Sequence, residues 1–177
     1  NNSCPDKKLI NTNVNMKKIK YLLLFLLGFA SCKSQESPTQ FSEAALNDSF
    51  INIDGNSIPF KDILDANKGQ TIVIDIWASW CGDCIKGMPK VKELQQGFKN
   101  VTYIFLSLDK TQEAWKKGIE KYDVNGQHYF MQSGWKGPFG EFVELDWIPR
   151  YMVIDQQGKI KLFKAIKADD KNITDFL

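Results

Sequence analysis

Trp80-Cys81-Gly82-Asp83-Cys84 sets two thiols three positions apart, a spacing that serves metal clamps, covalent haem, small structural disulfides or reversible thiol-disulfide exchange. Zinc needs about four ligands. With one such pair and a single histidine, His128, the chain is short of them, so no metal is expected. Haem attachment calls for a histidine directly after the second cysteine, and Ile85 stands there instead. A purely structural disulfide closing so short a loop would constrain the unfolded chain little, because the entropic benefit grows with loop length. Redox exchange is the remaining chemistry.

Whether such exchange is useful depends on the compartment. Met16-Lys-Lys-Ile-Lys20 is a short basic run, followed by the apolar run Tyr21 to Ala30. That length suits the core of a signal peptide and is too short to span a bilayer as a mature helix. Phe29-Ala30-Ser31-Cys32 ends the run and resembles a bacterial lipobox, which implies that Cys32 is lipidated and becomes the new N-terminus. Residues 1–15 precede Met16 and are expected to be an over-extended reading frame, which would set Cys4 aside. Residues 1–31 are thus read as an upstream extension plus lipoprotein-type signal peptide, 32–40 as a polar tether, and 41–177 as one domain. Of the four cysteines, only Cys81 and Cys84 remain as free thiols, in an environment where disulfides persist.

Cleavage also changes the charge balance. The full chain carries +2, but Lys7, Lys8, Lys17, Lys18, Lys20 and Asp6 leave with the signal segment. That leaves 18 basic and 20 acidic residues. Arg150 is the only arginine in the sequence, and no basic face with interleaved aromatics points to nucleic acid.

The elements that must position the thiols can be read from periodicity. Phe50 to Phe60 alternates apolar and polar residues about Asp54-Gly55, which predicts a hairpin leading into Lys61 to Ala66. Thr71 to Trp77 is a β-branched run with few polar positions, a strand buried on both faces. Asp83 to Phe98 carries Ile85, Met88, Val91, Leu94 and Phe98 at three- and four-residue steps, a helix. Val101 to Leu108 predicts a second buried strand, and Thr111 to Tyr122 a second helix capped by Asp109 or Thr111. A minor strand is expected at His128 to Met131 and a loop from Ser133 to Gly140. Arg150 to Ile154, a turn at Asp155 to Gly158, and Lys159 to Ala165 form a closing hairpin, with Asp169 or Asp170 capping a last helix. The order describes an α/β sheet covered on both faces whose first two long strands are parallel neighbours.

The cysteine pair therefore lies where a central strand gives way to a helix. A thiol at a helix N-terminus meets unpaired backbone N–H groups and the positive end of the dipole, which favour thiolate. Cys81 is expected to be the exposed nucleophile and Cys84, a turn further in, the resolving thiol. Asp75, within an apolar strand, is conspicuous because burial of a carboxylate raises its pKa. Asp83, beside Cys81, disfavours the thiolate and is expected to make the couple relatively reducing.

Asp75 to Cys84, with Pro89 five residues on, resembles the active site of the thioredoxin fold. With the lipobox and the N-terminal hairpin, the chain is most similar to the TlpA-like (ResA-like) extracytoplasmic thiol-disulfide oxidoreductases, over about Phe41 to Ala168. The resemblance implies an α/β thioredoxin-like fold, a mixed central sheet flanked by helices, with an added N-terminal β-hairpin. It implies that Pro89 kinks the active-site helix and that Trp147-Ile148-Pro149 is the family's cis-proline loop, packed on the cysteines and binding substrate through Ile148 and Pro149. By the same resemblance Trp80 is the exposed aromatic beside the nucleophile and Asp75 moves a proton to or from the resolving thiol. Gly82-Asp83 departs from the Gly-Pro of typical thioredoxins, so these two residues tune the redox couple.

The expected activity is a membrane-tethered protein-disulfide reductase of the bacterial cell envelope, facing the periplasm. It would act as a monomer on disulfide-containing envelope proteins, apocytochrome cysteines among the family's substrates, with electrons from a membrane donor and no cofactor beyond the Cys81–Cys84 couple. Two other functions compete. A peroxiredoxin-type peroxidase wants Pro-x-x-x-Thr-x-x-Cys, but Ile74 and Ala78 occupy the proline and threonine positions before Cys81. A non-catalytic binding or chaperone module is opposed by the intact CxxC and Pro149.

Overall fold

The computed structural model describes residues 37–177. The segment expected to be a leader, Cys4, and Cys32, expected to be lipidated, lie outside the described residues. Thr39, assigned to the tether, already belongs to the folded unit, since its carbonyl accepts from the Ile160 amide at 2.9 Å.

A short helix α1 (Glu43–Leu46), capped by the Ser42 hydroxyl on the Ala45 amide, leads into the hairpin β1 (Ser49–Asn52) and β2 (Ser57–Pro59). The Asn52 side chain accepts from the amides of Asp54 and Asn56 at 3.1 and 2.8 Å. Gly55 at φ +89° supplies the left-handed residue that this turn requires. Helix α2 (Phe60–Ala66) follows.

Strand β3 (Ile72–Trp77) is buried at all six positions. Helix α3 (Gly82–Gly97) turns Cys84, Met88, Val91 and Leu94 inward, the stripe expected at helical spacing. Pro89 sits inside it, removing the amide that would bond the Ile85 carbonyl. Strand β4 (Thr102–Ser107) and helix α4 (Gln112–Tyr122) come next. Thr111, rather than Asp109, caps α4, accepting from the Ala114 amide at 3.1 Å.

Strand β5 (Gln127–Phe130) is not minor: it runs parallel to β4 and antiparallel to β1, and so joins the hairpin to the sheet. A reciprocal amide pair between Asn67 and Gln127, at 3.0 and 2.6 Å, fastens its start. His128 accordingly lies on this strand, its ring stacked 5.1 Å from Phe105 and its Nε2 2.9 Å from the Val124 carbonyl. Burial pushes its pKa below the ordinary histidine value.

Residues 133–140, expected as a loop, fold into a 3₁₀ turn (Gly134–Lys136) and helix α5 (Pro138–Phe142). The cause is tertiary: the Asp48 carboxylate reaches from the start of the hairpin to accept the Phe139 amide at 3.0 Å and the Ser133 hydroxyl at 2.7 Å. Phe41, Phe50, Phe60 and Phe139 then pack ring on ring beneath it. Strands β6 (Arg150–Ile154) and β7 (Ile160–Ala165) close the sheet, and Asp170 caps α6 (Lys171–Thr174).

The sheet has the order β2-β1-β5-β4-β3-β6-β7. β3 is parallel to β4 and antiparallel to β6, so the sheet is mixed. Among the described residues no helix is long and apolar enough to cross a membrane.

Candidate active site

The site is built where β3 ends. Trp77 passes its carbonyl to the Leu108 amide at 2.8 Å, and the chain turns through Ala78, Ser79 and Trp80. Asp109, buried at the end of β4, holds this turn. Its carboxylate accepts from the Ser79 amide at 3.2 and 3.1 Å, from the Ser79 hydroxyl at 2.6 Å and from the Ser107 hydroxyl at 2.8 Å. Helix α4 supports the turn from behind, and Gly118 is what lets it approach: a Cβ there would lie 2.5 Å from that of Ser79. Neither Asp109 nor Gly118 was assigned to the site by sequence, because nothing local marks a residue that acts 30 or more positions away.

Cys81 is the N-cap of α3 and forms a disulfide with Cys84. The Cys84 amide points at the Cys81 sulfur, with N to Sγ 3.1 Å. An amide donor and a helix N-terminus on one sulfur favour that sulfur as the anion once the bond is reduced. Cys81 is 7% exposed and Cys84 1%. Cys81 is thus more covered than an openly exposed nucleophile, but it borders a groove of about 440 Å³ that Cys84 does not reach. Trp80, Gly82, Asp83, Trp135, Asp146, Trp147 and Ile148 form the rest of that groove. Trp80 and Trp147 are 54% and 56% exposed, an apolar pair on either side of the sulfur. Trp77, by contrast, is fully buried. Gly82 is the first residue of α3, and Asp83 stands at its N-terminus, exposed, with its carboxylate 3.5 Å from the Lys86 ammonium.

The opposite wall is the Ile148–Pro149 segment. Its peptide bond is cis, and the Ile148 carbonyl oxygen lies 3.6 Å from Cys81 Sγ. Arg150 holds the segment from within. Its buried guanidinium donates to the Val143 carbonyl at 2.6 Å, to the Glu144 carbonyl at 3.4 Å and to the Asp146 carboxylate at 2.6 Å. The lone arginine next to Pro149 was the available signal for this, and charge counting passed over it. Arg150→Met keeps the bulk but leaves the Val143 carbonyl without its donor. The expected cost is about 1–3 kcal/mol in urea unfolding, together with slower disulfide reduction as the wall loosens.

Asp75 lies 2% exposed on β3, and neither carboxylate oxygen has a partner at hydrogen-bonding geometry. Burial pushes its pKa up to about 8, so it is mostly protonated at neutral pH. Tyr151 stands directly across from it in the β3–β6 register, near enough to lower the value somewhat. Among the described residues no three His, Cys, Asp or Glu side chains gather as metal ligands would.

A strand-to-helix CxxC, a carbonyl from a cis-proline segment on its first sulfur and a buried acid on the strand that leads into it define a dithiol redox centre. The profile of the Thioredoxin-like family matches residues 69–160. Thiol-disulfide oxidoreductase ResA of Bacillus cereus is 30% identical over 132 residues, covering 72% of this chain and 70% of that protein. Among solved structures, the thioredoxin domain of a Bacteroides vulgatus thiol-disulfide oxidoreductase superposes with a TM-score of 0.61 at 25% identity, covering 76% of this chain and 96% of that one. A thiol:disulfide interchange protein from Bacteroides sp. gives 0.57 at 26% identity, with 76% and 88% covered. The chain belongs to the thioredoxin-like family, among its ResA-like thiol-disulfide oxidoreductases. Its activity is thiol-disulfide oxidoreduction.

Proposed function

We propose that the protein reduces disulfides of envelope proteins in bacteria, held to the membrane by a lipid on Cys32 and facing the periplasm. The observation that carries the reductive mechanism is the Cys84 amide directed at Cys81 Sγ. In the reduced form the Cys81 thiolate attacks one sulfur of the substrate disulfide. A mixed disulfide forms and the other substrate sulfur leaves as a thiolate. Cys84 then gives up its proton and attacks Cys81 Sγ, closing the Cys81–Cys84 bond and releasing the second substrate thiol. Two electrons reach the substrate in all, with one proton from Cys84 and a second taken up from water by the thiolate that left first. A membrane dithiol donor restores the reduced pair, and no further cofactor takes part.

Asp75 exchanges the proton of Cys84, since an acid with a pKa near the working pH is best matched to the task. Trp80, Ile148 and Pro149 hold the substrate backbone beside Cys81. Gly82 and Asp83 set the potential of the couple, with Lys86 partly offsetting the carboxylate.

The test is trapping. Cys84→Ser should accumulate mixed disulfides on Cys81 in the membrane fraction, seen as adducts on non-reducing gels and identified by mass spectrometry. Labelled fatty acid should enter the chain unless Cys32 is replaced. Adducts formed equally by a variant lacking both Cys81 and Cys84 would sink the reading.

A further inference from the structure

Asp75 must trade a proton with water if it serves Cys84 as proposed above, yet it is only 2% exposed. Tyr151 supplies a way out. It stands across from Asp75 in the antiparallel register, where facing side chains project to the same side of the sheet. Its hydroxyl points at α3: a methyl group on Gly87 would lie 3.6 Å from the oxygen. Gly87 is three residues from Cys84, so the Asp75 side of the sheet is the one that α3 covers.

Tyr151 and Gly87 also line an open pocket of about 440 Å³, which includes Pro149 and adjoins the Trp-lined groove through Asp83 and Trp147. The charged groups around it are Asp83, Lys86 and Lys90 from α3 and Lys167 and Asp169 from the segment after β7. Within the sheet, β4 presents only Phe105 beside Asp75, and β7 presents Ala165 beside Tyr151.

We infer that Tyr151 is the positioning residue through which Asp75 exchanges its proton with solvent, its hydroxyl, unbonded to Asp75 in this structure, closing onto the carboxylate when Asp75 ionises and passing the proton to water in the lysine-lined pocket. When Asp75 ionises, its proton moves to the Tyr151 oxygen as the hydroxyl's own proton passes to a pocket water. The carboxyl becomes carboxylate, the water becomes hydronium, and Tyr151 is unchanged. The reverse sequence recharges the acid. The site thus has two mouths: substrate sulfur enters by the indole-lined groove and protons leave by the adjoining pocket that Tyr151 lines.

The inference rests on the proton role proposed for Asp75, and the experiment separates the two. Reduced protein is mixed with an aromatic disulfide that releases a coloured thiolate. The first release reports attack by Cys81 and the second reports closure by Cys84, followed across pH for native chain, Tyr151→Phe and Asp75→Asn. Losing a hydrogen bond to a carboxylate, worth about 1.5–3 kcal/mol, should raise the half-point of the second phase by about 1–2 pH units in Tyr151→Phe. The first phase should be unmoved. In the native chain, the ring carbon bearing the Tyr151 hydroxyl should shift in the NMR spectrum in step with Asp75 ionisation, a readout that needs no variant. A Tyr151→Phe profile superimposing on the native one while Asp75→Asn slows the second phase would overturn the relay alone. A Tyr151 resonance indifferent to Asp75 ionisation would also overturn it. An unchanged second phase in Asp75→Asn would overturn both the relay and the reading beneath it.

Discussion

Cys81→Ser should abolish turnover of a disulfide substrate, by at least about 10³-fold, or about 4 kcal/mol of barrier. A serine hydroxyl has no anion available near neutral pH, so the amide of Cys84 and the start of α3, which favour a thiolate at this point, would have nothing to stabilise. Cys84 cannot stand in, because it is 1% exposed and does not border the groove proposed to take substrate. Cys84→Ser should behave differently: one equivalent of leaving thiolate is released at a near-native rate and the reaction then stops. Rapid-mixing absorbance and a count of released thiolate per chain distinguish the two. Equal single releases from both variants would contradict the assignment of nucleophile and resolving thiol.

Asp75→Asn should stabilise the oxidised protein by several kcal/mol at pH 8 and above, and hardly at all near pH 4. The native carboxyl titrates at about 8 when folded, against an ordinary 3.8. Between those values the folded state binds the proton that the unfolded state has lost. Stability therefore falls as pH rises through that window, by up to about 1.4 kcal/mol per pH unit, and levels off above about 8. An amide carries no such slope. Urea unfolding at pH 4, 6 and 8 would show parallel midpoints only if Asp75 is not buried as an acid. The same substitution removes the proton acceptor proposed for Cys84 and should slow closure of the mixed disulfide by about 10²-fold near neutral pH. The protein would gain stability and lose rate, as expected where a buried charge is kept for chemistry.

The chemistry was legible because it is local. Two cysteines at one helical turn's spacing, after a β-branched run and before an amphipathic one, state their own geometry, and the ends of β3 and α3 fall within a residue or so of the expected bounds. Asp75 was legible for the same reason, as the one charged residue in that run. The hairpin turn announced itself through Asp54-Gly55.

What the pattern missed is held by contacts distant in sequence. Residues 133–140 carry three glycines and a proline and read as a loop. They are helical because Asp48, some 90 positions earlier, accepts the amide that begins α5. β5 looked minor because each of its four residues is only half-buried, whereas its place between β1 and β4 is set by hydrogen bonds that its composition cannot show. Asp109 resembled a helix cap and instead braces the turn before Cys81.

The sequence by itself thus determined the class of chemistry, the two cysteines that pair in the disulfide and the elements that carry them, since those follow from spacing and local periodicity. Only the tertiary structure decided how the second wall of the site is held. The Arg150 guanidinium satisfies carbonyls of the Val143 to Asp146 turn, bringing the Ile148 carbonyl to 3.6 Å from Cys81 Sγ. It alone decided that Tyr151 faces Asp75. Strand register and side-chain closure across 60 or more residues depend on the packed core, and no local pattern encodes them.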